Sequence, residues 1–145
     1  MIKAFLDANV YFAGCYSKKG ASHFILGMAE RSKILLFSSR LVLLEAERNL
    51  RLKSTPPILR DFRRFLKKTK IEVMPPLDEK ILARYESHIH PKDVPVLAAA
   101  VESKSDYLVT LDRRHFFNPS LSEHFSEIKI LTPGDFLQRL TQNFP

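Results

Sequence analysis

The chain is poor in the residues that mark several common classes. It has one cysteine, Cys15, in 145 residues, which excludes an internal disulfide framework and any Cys-rich zinc site and suits a reducing cytosol. Its four glycines, at 14, 20, 27 and 134, cannot spell GxGxxG or GxxxxGK[ST], so a Rossmann fingerprint and a P-loop are both excluded. No apolar run approaches the ~18 residues of a membrane span. The start, Met1-Ile2-Lys3-Ala4-Phe5-Leu6-Asp7, meets an acid too early for a signal peptide. A cytoplasmic protein without a membrane partner is expected. No repeat, low-complexity tract or Gly/Ser linker divides the chain, and 145 residues fit one domain, expected over 1–145.

What is abundant is positive charge, and it is unevenly placed. The net charge is +7. Residues 31–70 carry twelve basic and three acidic groups, for +9, whereas residues 71–145 come to −3. A polyanionic partner fits that block.

Short apolar runs alternate with helical periodicity, which predicts an α/β fold with a central, mainly parallel sheet of about five strands between helical layers. Strands are predicted at Ile2–Leu6, Ile34–Phe37, Ile71–Met74, Tyr107–Thr110 and Ile128–Leu131. Helices are predicted at about 22–31, with Phe24, Ile25, Met28 and Ala29 inward, and from a Ser38 or Ser39 cap to about Leu52, with Leu41, Val42 and Leu44 inward. Others follow Thr55 through Lys68, with Ile58, Phe62, Phe65 and Leu66 inward, then Asp78 to about Ser87, Asp93 onward, and Thr132 to about Leu140.

In parallel βα units the carboxyl ends of strands and the amino ends of following helices share one edge, where open α/β sheets bind ligands. Asp7 follows the first strand, Asp112 follows the fourth by one residue, and Asp93 opens a helix. Glu45 lies about six residues into its helix, roughly 9 Å from the capped end, within reach of the same edge. Each alone has a plainer reading as a turn former, helix cap or solvated acid. Together they repel one another unless a divalent cation neutralises them, and oxygen ligands favour Mg²⁺ or Mn²⁺ over zinc.

These stretches resemble the PIN domain nucleases, a family that includes VapC-like toxins of toxin–antitoxin pairs. The matching segments are Phe5-Leu6-Asp7-Ala8-Asn9-Val10, Ser39 with Leu44-Glu45-Ala46-Glu47-Arg48-Asn49-Leu50, Asp93-Val94-Pro95-Val96-Leu97-Ala98-Ala99-Ala100, Asp106-Tyr107-Leu108-Val109-Thr110-Leu111-Asp112, and Thr132-Pro133-Gly134-Asp135-Phe136-Leu137. The resemblance implies a PIN-like three-layer fold and a metal-binding acidic site of Asp7, Glu45, Asp93 and Asp112. It implies orienting roles for Asn9, Thr110 and Ser39, and one or two Mg²⁺ or Mn²⁺ ions. Glu45 and Glu47 stand about 200° apart on a helix, so at most one faces the site; the family register favours Glu45. Some relatives carry a further acid after the last Asp. Here the chain reads Arg113-Arg114-His115-Phe116, so that extra ligand is expected to be missing.

The implied activity is metal-dependent endoribonuclease cleavage leaving a 3′-hydroxyl and a 5′-phosphate, in a homodimer held by a cognate antitoxin. Lys92, Arg113 and Arg114 are the candidates for contacting RNA phosphates beside the acids, with Arg60, Arg63, Arg64, Lys67 and Lys68 as a wider surface. The alternative is a PIN-like module that binds RNA or a protein without cutting. A two-histidine mechanism through His88 and His90 has less support, and His23, His115 and His124 are expected at loop or surface positions. Phosphatases with an aspartyl nucleophile want D-x-D, whereas this chain has Asp7-Ala8-Asn9.

Overall fold

Runs such as Lys3-Ala4-Phe5-Leu6 and Tyr107-Leu108-Val109 are too short and too apolar for surface helices, and they bury as strands from both faces. A computed structural model describes residues 1–142 and contains β1 (Lys3–Leu6), β2 (Leu35–Ser39), β3 (Ile71–Met74), β4 (Tyr107–Val109) and β5 (Lys129–Leu131). The sheet order is β3-β2-β1-β4-β5, and every pairing is parallel. Phe5 at the centre stands opposite Phe37 on one side and Leu108 on the other.

The helices are α1 (Ala8–Tyr16), α2 (Ala21–Glu30), α3 (Arg40–Lys53), α4 (Pro56–Lys68), α5 (Glu79–Ala83), α6 (Val94–Glu102), α7 (Arg113–Phe116), α8 (Pro119–His124) and α9 (Pro133–Gln142). A 3₁₀ turn, Pro91–Asp93, leads into α6. Helix α1 packs on α2, α3 and α4, and α2 on α9; α5 lies on α6, which rests on β2 and β4. The result is the expected three-layer α/β/α arrangement. No described helix is long and apolar enough to cross a membrane.

Several local expectations need correction. Residues 8–16, for which the sequence predicts no element, form α1, because Ala8, Val10, Tyr11 and Gly14 all bury against neighbouring elements and tertiary packing overrides a β-prone composition. At Gly14 an added Cβ would stand 2.6 Å from Leu26 Cδ1 and 3.0 Å from the Ser22 carbonyl oxygen, so only glycine permits this approach of α1 to α2. The inward face of α2 is Ser22, Ile25, Leu26 and Ala29, and Phe24 is exposed. That of α3 is Val42, Ala46 and Leu50, spaced by four, which leaves Leu41 and Leu44 exposed. Helix α5 stops at Ala83, after which Arg84 and Tyr85 donate to Ile81 and Leu82 in a tightened turn. Short helices α7 and α8, capped by Asp112 and Asn118, occupy a stretch for which the sequence predicts no element.

Strand β1 lies between β2 and β4, so the chain crosses to one side of β1 first and to the other later. Such a reversal opens a crevice beyond the carboxyl ends of the two strands. Asp7 ends β1 there, and Thr110 to Asp112 leave β4 beside it.

Candidate active site

Asp7 is fixed through both oxygens. Oδ1 accepts from the Ala8 N–H at 2.8 Å, capping α1, and Oδ2 accepts from Thr110 Oγ1 at 2.7 Å and Asn9 Nδ2 at 3.3 Å. The Thr110 hydroxyl in turn accepts from the Asp112 N–H at 3.0 Å and from Asn9 Nδ2 at 3.4 Å, so its hydrogen-bonding capacity is filled. Asn9 Oδ1 accepts from the Leu111 N–H at 3.1 Å. Asn9 and Thr110 therefore tie the exit of β1 to the exit of β4 and orient the Asp7 carboxylate.

Burial is the main influence on Asp7 and pushes its carboxyl up to about 6, against the pull of the Thr110 hydroxyl and the Ala8 amide; the charges of Glu45 and Asp93 add to the rise. A carboxyl perturbed by burial and by neighbouring acids in a cleft is a functional-site signal.

A cavity of about 290 Å³ opens on these groups, lined by Asp7, Glu45, Asp93 and Asp112 together with Asn9, Lys92 and His115. Glu45 comes from the second turn of α3. Glu47 points elsewhere, its Oε1 3.0 Å from Arg63 Nε. Asp93 stands at the N-cap of α6, but its carboxylate makes no capping bond to that helix and faces the cavity instead. The plain capping role does not account for it.

Asp112 divides its oxygens. Oδ1 accepts from the His115 N–H at 3.2 Å to cap α7, and Oδ2 lies 3.1 Å from His115 Nδ1. His115 Nδ1 also lies 2.7 Å from Asp93 Oδ2. Among the described residues, the possible ligand atoms of Asp93, Asp112 and His115 are the group that closes to within 4.8 Å of one another; Asp7 and Glu45 face the same space outside that group. Asp93 Oδ2 and His115 Nδ1 are buried and have no hydrogen-bond partner. Orphaned buried atoms of this kind are costly, and a cation beside both would satisfy them, so the donor set fits a divalent ion.

His115 is the residue that sequence reasoning passed over as a surface position. Its imidazole stands beside Asp93 and Asp112, in the stretch after Asp112 where no further acid occurs. The available signal was the Asp112-x-x-His115 spacing, because a capping aspartate binds the amide of the third residue on. His88 and His90 part company: His88 packs on His124 and Phe125, and His90 stacks on His115.

Two other expectations are placed differently. Ser39 Oγ accepts from the Val42 N–H at 3.2 Å to cap α3, and Ser39 lines a neighbouring apolar cavity of about 360 Å³ with Leu41 and Leu44 rather than the acidic one. Arg113 and Arg114 are exposed in the only turn of α7 and do not line the acidic cavity, whereas Lys92 does.

The PIN domain family matches residues 3–114, the stretch that carries all four acids. The chain belongs to the PIN domain family. A search of curated proteins finds no match. Among solved structures, the PIN domain chain is similar in fold to one in the crystal structure of VapBC2 from Rickettsia felis bound to a DNA fragment from their promoter. The TM-score is 0.61 at 13% identity, covering 90% of this chain and 98% of that one. Because the family match ends at Arg114, His115 lies just beyond it.

Proposed function

We propose that this PIN domain, a single unit over residues 1–145, is a metal-dependent endoribonuclease and the toxin of a toxin–antitoxin pair. The observation that carries this reading is the meeting of Asp7, Glu45, Asp93 and Asp112, from four separate segments, at one cavity where the Asp93 carboxylate serves no capping role. A pure RNA binder gains nothing from lining a phosphate-sized cleft with carboxylates.

Asp7, Asp93 and Asp112, with Glu45 directly or through water, would hold one or two Mg²⁺ or Mn²⁺ ions. Such an ion supplies acidified water and offsets the charge that builds on the phosphoryl group during in-line attack. The chain's own residues do the rest. Asn9 and Thr110 hold the Asp7 carboxylate in place, and Lys92 at the cavity wall meets a substrate phosphate. Arg113 and Arg114 extend that contact outside the cavity, and the +9 block draws the polyanion in. Leu41 and Leu44, exposed beside the apolar cavity, give a protein partner an apolar surface; a cognate antitoxin and a second copy of the chain are the partners proposed, in the cytoplasm. The fold likeness to a VapBC2 chain supports an antitoxin partner.

Incubating the purified protein with total RNA and Mg²⁺ or Mn²⁺, beside an Asp7→Asn, Asp93→Asn double variant, tests the reading. Cleavage by the wild type alone supports it. Coincident profiles favour the non-cutting binding module.

A further inference from the structure

We propose that His115 Nδ1 is itself a metal ligand in this centre and turns it toward a first-row transition-metal ion in preference to Mg²⁺. The inference rests on the metal-dependent reading above and names the cofactor class of the same site.

Three observations place the nitrogen. The His115 N–H donates to Asp112 Oδ1, so the cap of α7 fixes where the side chain begins. The ring lies against His90, centroids 5.0 Å apart and planes 12° from parallel, and His90 is anchored by accepting from the Lys92 N–H at 3.1 Å. Nδ1 then sits 2.7 Å from Asp93 Oδ2 and 3.1 Å from Asp112 Oδ2.

An imidazolium serving as a mere counter-ion would aim its N–H at one of those oxygens. Here neither Nδ1 nor Asp93 Oδ2 has a hydrogen-bond partner despite the short separation. Two ligands of one ion have this relation, close together with no hydrogen bond between them.

The donor chemistry decides the ion class. Mg²⁺ is small and hard, prefers all-oxygen surroundings and keeps several waters. Imidazole nitrogen suits the first-row transition ions, and affinity for a mixed nitrogen and oxygen site rises from Mn²⁺ toward the later metals. Two carboxylates and one imidazole form such a mixed site.

The test uses the full-length protein with stoichiometric Mn²⁺ and reads pulsed electron paramagnetic resonance for ¹⁴N coupling, beside competition calorimetry of Mn²⁺ against Mg²⁺. Wild type is expected to show coupling to one imidazole nitrogen. His115→Asp is expected to lose it and to narrow the preference for Mn²⁺ over Mg²⁺ by at least about tenfold. Bound Mn²⁺ without nitrogen coupling in the wild type overturns the proposal, as does an unchanged preference in a folded variant. If Mn²⁺ binds and RNA is cut without that coupling, the nuclease reading stands and this inference alone fails; if no ion binds, both fail. The wild-type spectrum decides even where the variant does not fold.

Discussion

Thr110 Oγ1 donates a 2.7 Å hydrogen bond to Asp7 Oδ2 and so joins residues 103 positions apart at the junction of β1 and β4. That bond favours the ionised Asp7 carboxyl. Thr110→Val keeps the shape and removes the hydroxyl, and it also strips the acceptor from the Asp112 amide. Mn²⁺ affinity measured by calorimetry is expected to fall about 10- to 100-fold, the usual effect of removing a group that orients a ligand. Unchanged affinity would separate this bond from the site's function.

Asp7 gives the metal-free protein a definite pH dependence. Its carboxyl in the folded chain is raised to about 6 from the ordinary 3.8, so between those values the folded state binds more proton than the unfolded one, and stability falls as pH rises. Fully ionised above pH 6, this group costs the fold about 3 kcal/mol. The cost is absent below the ordinary value. In excess chelator, Asp7→Asn is therefore expected to raise the melting temperature at pH 7.5 and to change it much less at pH 4, as thermal melts at the two pH values would show.

Gly14→Ala addresses the fold rather than the site. The new methyl would meet the Ser22 carbonyl oxygen at 3.0 Å and Leu26 at 2.6 Å, and the carbonyl belongs to helix backbone that cannot swing aside. A loss of about 1–3 kcal/mol is expected, read as a lower urea midpoint at unchanged slope.

Phosphate contacts by Lys92, Arg113 and Arg114 are tested by the salt dependence of RNA binding to the Asp7→Asn, Asp93→Asn protein. Each alanine substitution that removes a phosphate contact is expected to flatten the slope of log affinity against log salt by about 0.7, the value for single strands. Lys92, lining the cavity, is expected to show the effect most clearly. A slope unaltered by all three would remove these residues from the binding surface.

Much of this arrangement is legible in the chain itself, and the exceptions have physical causes. Asp7, Asp93 and Asp112 follow strands or open helices, and parallel βα topology brings such positions to one edge without further information. Helix α1 is hidden because Val10, Tyr11 and Phe12 are good strand formers and the segment has no clear polar face; its helicity comes from packing. Leu41 and Leu44 look inward by hydrophobicity, but the four-residue spacing of Val42, Ala46 and Leu50 sets the buried side. His115 is invisible until Asp112 is known to start a helix, because only that turn carries the imidazole back over the carboxylates.

The most direct test is mapping of cleaved ends after total RNA is incubated with the wild type and with Asp93→Asn, each with Mn²⁺ and with chelator. Metal-dependent cuts bearing 5′-phosphates are expected from the wild type, with a loss of at least about 100-fold in the variant, since general removal of a metal-holding carboxylate abolishes the acidified water. Equal cutting by both proteins, or cutting that persists in chelator, would contradict a metal centre built on Asp93.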